Sequence, residues 1–159
     1  LNISLTEAVF DRTSNTDITQ VAFARTVLEY LGARAPDSLM RAIDRPIMIG
    51  LVETEVGTAP FIILNVQTYE FALSGMYEWE PALSADLHPF FPNQPIPDAV
   101  TARTLNETPF VDRTVANIPT RILETEERDA VLLWSIPDDR LVITTDERAF
   151  SLIWERLRL

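Results

Sequence analysis

Between Ile47 and Val66 the hydrophobic period of the chain changes, and that change limits the folds open to it. Residues 47–53 and 60–66 are two apolar, β-rich runs separated by "TEVGTA", the signature of a β-hairpin. Further strands are expected at 109–116, 119–124, 130–136 and 140–144, with turns at "EERD" and "PDDR". Helical spacing flanks them. "TSNTDITQVAFARTVLEYLG" predicts a helix over 17–31, capped by Thr16 or Asp17 with Gln20 as capping-box partner. Its apolar face is Val21, Ala24, Val27, Leu28 and Leu31, widened by Phe23 and Tyr30, and Gly32 suits the left-handed position after its end. "PDSLMRAI" reads as a second short helix starting at Pro36. A third is expected from Thr68 to about Glu80, interrupted at Pro81 because the ring clashes with the preceding turn. The last, 146–157, can be capped by Thr145 or Asp146, with Ala149, Phe150, Ile153, Trp154 and Leu157 facing inward.

These elements predict an α+β fold: a mainly antiparallel sheet packed by about three amphipathic helices. With 159 residues, 47% of them hydrophobic, the chain can build its core as a single domain over 1–159. A proline-rich loop at 88–98 divides it into two halves that share the order strand, hairpin turn, strand, helix; that order is the usual grammar of α+β domains as much as a mark of duplication.

Composition narrows the chemistry. The net charge is −11, and all 13 basic residues are arginine. An acidic surface without a basic run repels phosphate backbones and anionic headgroups alike, so neither nucleic acid nor a lipid surface is an expected partner. The absence of cysteine removes disulfides, thiolate nucleophiles and cysteine-ligated metals. Four glycines leave no phosphate-cradling loop, and no G-x-S-x-G turn exists. The longest apolar runs fall well below the ~20 residues of a membrane span. The chain opens "LNISL", without methionine or a basic n-region, and is therefore expected to be part of a longer product with a targeting or anchoring segment upstream.

One stretch could still carry chemistry. "EFALSGMYEWEPALSADLHPFF" holds the single histidine, His88, close to Glu78, Glu80 and Asp86. Glu70, Ser74 and Glu78 fall on one helical stripe, with Ala72, Gly75, Met76, Trp79 and Phe71 covering the other side, so the acids read as the solvated flank of a core helix. Glu80 lies off that stripe at the helix end, and Asp86 and His88 lie across the proline break. A metal site would need three of Glu78, Glu80, Asp86 and His88 to converge, and their spacing matches no histidine metal motif. No metal or cofactor is therefore expected, and no residue is assigned a catalytic role. "ETEERD" reads as a solvated hairpin tip rather than a calcium loop. Asp112 and Arg121, in neighbouring strands, can form an ion pair, by default a surface pair of little worth.

Several phrases taken together, "SLMRAIDRPIMIGL", "PFIILNVQTYEFALSGMYEWEPALSADLHPFF", "FVDRTVANIPTRIL" and "LLWSIPDDRLVITTDERAFSLIWERL", resemble an uncharacterised family of predicted membrane-anchored proteins from candidate-phylum bacteria. The resemblance covers about residues 38 to 159 and rests on Phe71, Gly75, Met76, Trp79, Glu80, Asp86 and Leu87, then Phe110, Asp112, Arg121, Leu123 and Leu141 to Thr145. Ser74, Pro119 and Thr120 depart from the family pattern. The resemblance implies an N-terminal membrane helix upstream of this chain and a place outside the cytoplasm; it implies no reaction.

Two functions compete at this level. One is a non-catalytic, extracytoplasmic interaction or assembly module for a protein or a cell-surface polymer, with Phe90 and Phe91 of the proline-rich loop as contact residues. The other is a carboxylate-dependent hydrolase of cell-envelope material, for which Glu78, Glu80, Asp86 and His88 are the residues to test. The first requires an exposed apolar patch, the second a concave pocket where acids face each other.

Overall fold

A computed structural model describes residues 23–91, 110–124 and 130–159. Helices α1 (Ala24–Tyr30) and α2 (Asp37–Ala42) lead into strands β1 (Ile43–Thr54) and β2 (Gly57–Val66). Helix α3 (Tyr69–Leu87) follows, then β3 (Phe110–Val115), β4 (Ile118–Glu124), β5 (Ala130–Ser135), β6 (Arg140–Thr144) and α4 (Glu147–Leu157). All six strands form one antiparallel sheet in the order β1-β2-β6-β5-β4-β3. The expected α+β fold is what the chain adopts.

The sheet is buried on both faces. Strand residues alternate sides, so Ile62, Leu64, Leu141, Ile143, Leu132 and Trp134 pack with α1, α2 and α3, while Phe61, Ile63, Val142, Leu133 and Ile122 pack under α4. The order strand, hairpin, strand, helix occurs twice, as β1-β2-α3 and β5-β6-α4. The two helices nevertheless cover opposite faces, whereas a dyad exchanging the antiparallel neighbours β2 and β6 would keep them on one. The repetition is one of order, without two-fold symmetry.

Turn chemistry fixes the hairpins. Ala116 and Asn117 have φ of 50° and 63°, and Asp138 and Asp139 have 46° and 58°. Paired left-handed residues make the type I′ turn whose twist matches the strands it joins. In "PDDR" the Arg140 N–H donates to the Pro137 carbonyl at 3.0 Å, closing that turn. Gly32, at φ 68°, ends α1: its N–H donates to the Glu29 carbonyl and that of Ala33 to the Leu28 carbonyl, the Schellman arrangement. Asp146 caps α4 by accepting from the Ala149 N–H at 2.8 Å, as its sequence predicts.

Three expectations need correction. First, Phe23 is extended (φ −89°, ψ 128°) and forms an antiparallel bridge with Pro46, so the described helix starts at Ala24 rather than 17; the capping residues Thr16, Asp17 and Gln20 lie outside the described residues. Second, Phe23, Tyr30 and Phe71 are exposed rather than part of apolar faces. Third, α3 runs without interruption through Pro81 to Leu87. A mid-helix proline costs about 3 kcal/mol. Beyond it, Leu83 and Leu87 are fully buried, each contributing about 1.5–3 kcal/mol, and Asp86 is anchored by hydrogen bonds. Burial therefore outweighs the proline, whose ring sits on the exposed side of the helix. The turn at "EERD" and the loop beyond Phe91 lie outside the described residues.

Helix α3 lies close against α2 through Gly75. A Cβ there would stand 2.6 Å from both the Cβ and the backbone N of Leu39, which is itself fully buried. Gly75→Ala is expected to destabilise the fold by about 1–3 kcal/mol through overpacking. Ser74→Ala, one residue away on the exposed side, should leave the urea midpoint nearly unchanged, and equal midpoints for both variants would disprove the close approach.

Candidate functional site

One row of paired residues crosses the whole sheet on the α3 side: Ile49, Ile62, Ile143, Trp134, Arg121 and Asp112. It begins aliphatic and ends charged. Helix α3 lies above the charged end, and Glu80, 2% exposed, meets Arg121 there. The guanidinium binds the carboxylate with both prongs, Nε to Oε1 and Nη2 to Oε2, each at 2.8 Å. The Trp134 indole N–H donates to the same Oε1 at 3.1 Å. On its outer side Arg121 donates to Asp112 at 3.1 Å and lies 5.1 Å from the centroid of the Tyr77 ring, which in turn meets Trp134 edge-on at 5.7 Å. Hydrogen bonding to Glu80 is the main cause that raises the Arg121 pKa still further above its ordinary value, against the opposing effect of burial. The guanidinium is permanently charged.

A second acid is held the same way two turns on. Asp86, 7% exposed, accepts the Trp79 indole N–H at 2.8 Å and the backbone N–H of Arg34 at 2.8 Å, and Arg34 Nε donates to it at 3.3 Å. Trp79 and Asp86 are seven residues apart on one helix, so their side chains share a face. This contact ties the α1–α2 link to α3. On the opposite sheet face Arg113 bonds Glu124 at 2.9 Å and Glu147 at 3.1 Å, joining α4 to the β3–β4 hairpin.

The four acid and histidine candidates do not form a common site. Glu78 is exposed, like Glu70 and Ser74, and among the described residues takes only a 3.4 Å bond from Ser38. His88 is the C-cap of α3, ten residues from Glu78 and so about 15 Å away along the helix. Glu80 and Asp86 are each consumed by an indole and a guanidinium, and among the described residues no three acids or histidines converge as metal ligands. Glu80 lies off the solvated stripe, as expected, but in mid-helix rather than at the helix end, and the reading of Asp86 as beyond a helix break is overturned: both lie on the buried side of one helix. Phe91 is buried at 3% in the α3-side core and Phe90 is partly buried against it, so Phe91 is not an exposed contact residue. The Asp112–Arg121 pair forms, but as the outer edge of a largely buried network rather than as a surface pair.

An open cleft of about 510 Å³ lies beside the start of α1, lined by Phe23, Arg25, Thr26, Met40, Ile43 and Gln67 among others. Among the described residues its lining carries no carboxylate. Among the described residues no helix is long and apolar enough to cross a membrane. A comparison with protein families, curated proteins and solved structures found no match to the chain.

Sequence reasoning missed the Glu80–Arg121 pair, although its signal was present. Ala72, Met76, Trp79, Glu80, Leu83, Asp86 and Leu87 keep helical spacing throughout, and treating Pro81 as a stop hid the last turns of that stripe.

Arg121→Leu should strand Glu80 as a buried charge and cost about 3–5 kcal/mol in urea unfolding, whereas the double variant Glu80→Leu/Arg121→Leu recovers most of the loss. Asp86→Ala should cost about 1–3 kcal/mol by orphaning the Trp79 indole N–H, and Asp86→Asn, which keeps an acceptor, should cost less. Equal losses for the two Asp86 variants would show that the indole bond carries no weight.

Proposed function

We propose that this chain is a single-domain, non-catalytic interaction or assembly module that works outside the cytoplasm, tethered by an upstream membrane segment. The observation that supports this reading is the fate of the two buried acids. A hydrolytic carboxylate must face a cleft where substrate and water can reach it. Glu80 and Asp86 instead spend their oxygens on Trp134, Arg121, Trp79 and Arg34, inside the α3–sheet packing. The anchor and compartment follow from the family resemblance alone. The partner is a protein or a cell-surface polymer, and the large net negative charge disfavours polyanions.

The exposed apolar side chains that could serve such contacts include Met48 and Leu51 of β1 and Val56 at the β1–β2 turn. Purified domain incubated with envelope polymers should release no sugar reducing ends or amines above a blank, while immobilised domain retains a saturable partner from envelope extract. Release that vanishes in Glu78→Gln or His88→Ala would overturn the non-catalytic reading.

A further inference from the structure

Resting on that interaction reading, we infer that the outer edge of β1 is a docking site for an extended partner segment, apolar in its middle and basic at its N-terminal end, which adds as a strand antiparallel to β1. An edge strand presents a row of backbone donors and acceptors, and proteins ordinarily blunt such edges with charge. The opposite edge, β3, is blunted in this way: Asp112 and Arg113 stand in its centre, engaged with Arg121, Glu124 and Glu147. The other, β1, is 12 residues long and carries no charge from Pro46 through Val52.

Among the described residues only Phe23 reaches that outer edge, where it bridges Pro46 in antiparallel sense. The edge thus accepts an antiparallel neighbour at its first turn of register. Beyond it, Met48 and Leu51, 38% and 60% exposed, point to opposite faces, as their pairing with Ile63 and Pro60 requires. An incoming strand would find an apolar neighbour above and below the sheet, the arrangement by which alternate side chains give specificity in strand addition. Gly50 between them is covered by the Phe61 ring, so the edge has no cavity there.

Charge selects the occupant. At the far end of β1 stand Glu53, exposed, and Glu55, whose partner Arg148 is a loose 3.6 Å away. A strand antiparallel to β1 places its N-terminal residues beside them, and basic side chains there gain a cross-strand attraction. A second copy of this chain would bring its own −11 charge and is disfavoured.

The probe is a short synthetic peptide of alternating valine and threonine with a lysine pair at its N-terminus, compared with the same peptide carrying a glutamate pair. Backbone resonances of β1 report binding. The lysine peptide should bind about threefold more tightly at low salt, a preference that fades as salt rises. Leu51→Lys, on an exposed side chain, should weaken both peptides by about tenfold or more, and Glu53→Lys should reverse the preference. Equal binding of the two peptides, or none, overturns the proposal. In the free chain the β1 amides pointing away from β2 should exchange rapidly with solvent. Slow exchange at every concentration would mean that residues preceding Phe23 already cover the edge, and slow exchange only at high concentration would mean that a second copy does; either overturns it. Retention of an envelope partner by Leu51→Lys would likewise sink the edge while leaving the interaction reading standing.

Discussion

The bidentate contact between Glu80 and Arg121 is the constraint around which the rest is arranged. Removing both ions from water costs nearly as much as their attraction returns, so the pair adds little net stability over an apolar pair of the same volume. Its geometric demand is large. A planar fork must meet a carboxylate at 2.8 Å on both prongs, with an indole N–H completing the acceptor shell. That requirement fixes the rotation of α3 about its axis and its position along β4 and β5 together. The second indole–carboxylate contact, Trp79 to Asp86, fixes the far end of the same helix. Among the described residues no buried side-chain polar atom is left without a partner, so the interior polar groups form a closed set.

The sheet prepares this contact one strand at a time. Because side chains alternate, the row running from Ile49 to Asp112 stays on one face across all six strands, and its register depends on the left-handed turns at Ala116–Asn117 and Asp138–Asp139. A slip of one residue in the β3–β4 hairpin would carry Asp112 to the α4 face and away from Arg121, and one between β4 and β5 would carry Arg121 there and leave Glu80 alone in the core. The turn residues and the buried pair therefore enforce the same register by independent means, an agreement between local and tertiary preferences that favours one fold over its neighbours.

Much of this was legible in the sequence, for reasons specific to each element. The hairpins announced themselves through period-two runs bounded by "TEVGTA" and "PDDR", and α4 through a capping aspartate ahead of a clear stripe. Helix α3 was half legible. Glu70, Ser74 and Glu78 face water as their spacing requires, whereas the portion beyond Pro81 was obscured because the cost of a proline is local and the burial that outweighs it is not. Glu80 was misread for a related reason. A carboxylate on an apolar stripe looks like an error until its arginine is found, and that arginine lies 41 residues away on a strand. Phe23 and Phe71 show the converse: aromatic residues at helical spacing suggest burial, yet among the described residues no element packs over them.

The same physics separates the two edges of the sheet. β3 lies beside the charged end of the cross-sheet row, where Asp112 and Arg113 serve the networks on both faces and, in doing so, give that edge its blunting charge. β1 lies at the aliphatic end of the row, and among the described residues the buried acids Glu80 and Asp86 have no hydrogen bond to it. Its apolar edge is thus the counterpart of concentrating the interior charges at the other side of the sheet. Among the described residues, the chain keeps most of its acids in solvent, spends Glu80 and Asp86 on holding one helix in place, and sets the uncharged run from Pro46 to Val52 on a strand that has a single sheet neighbour.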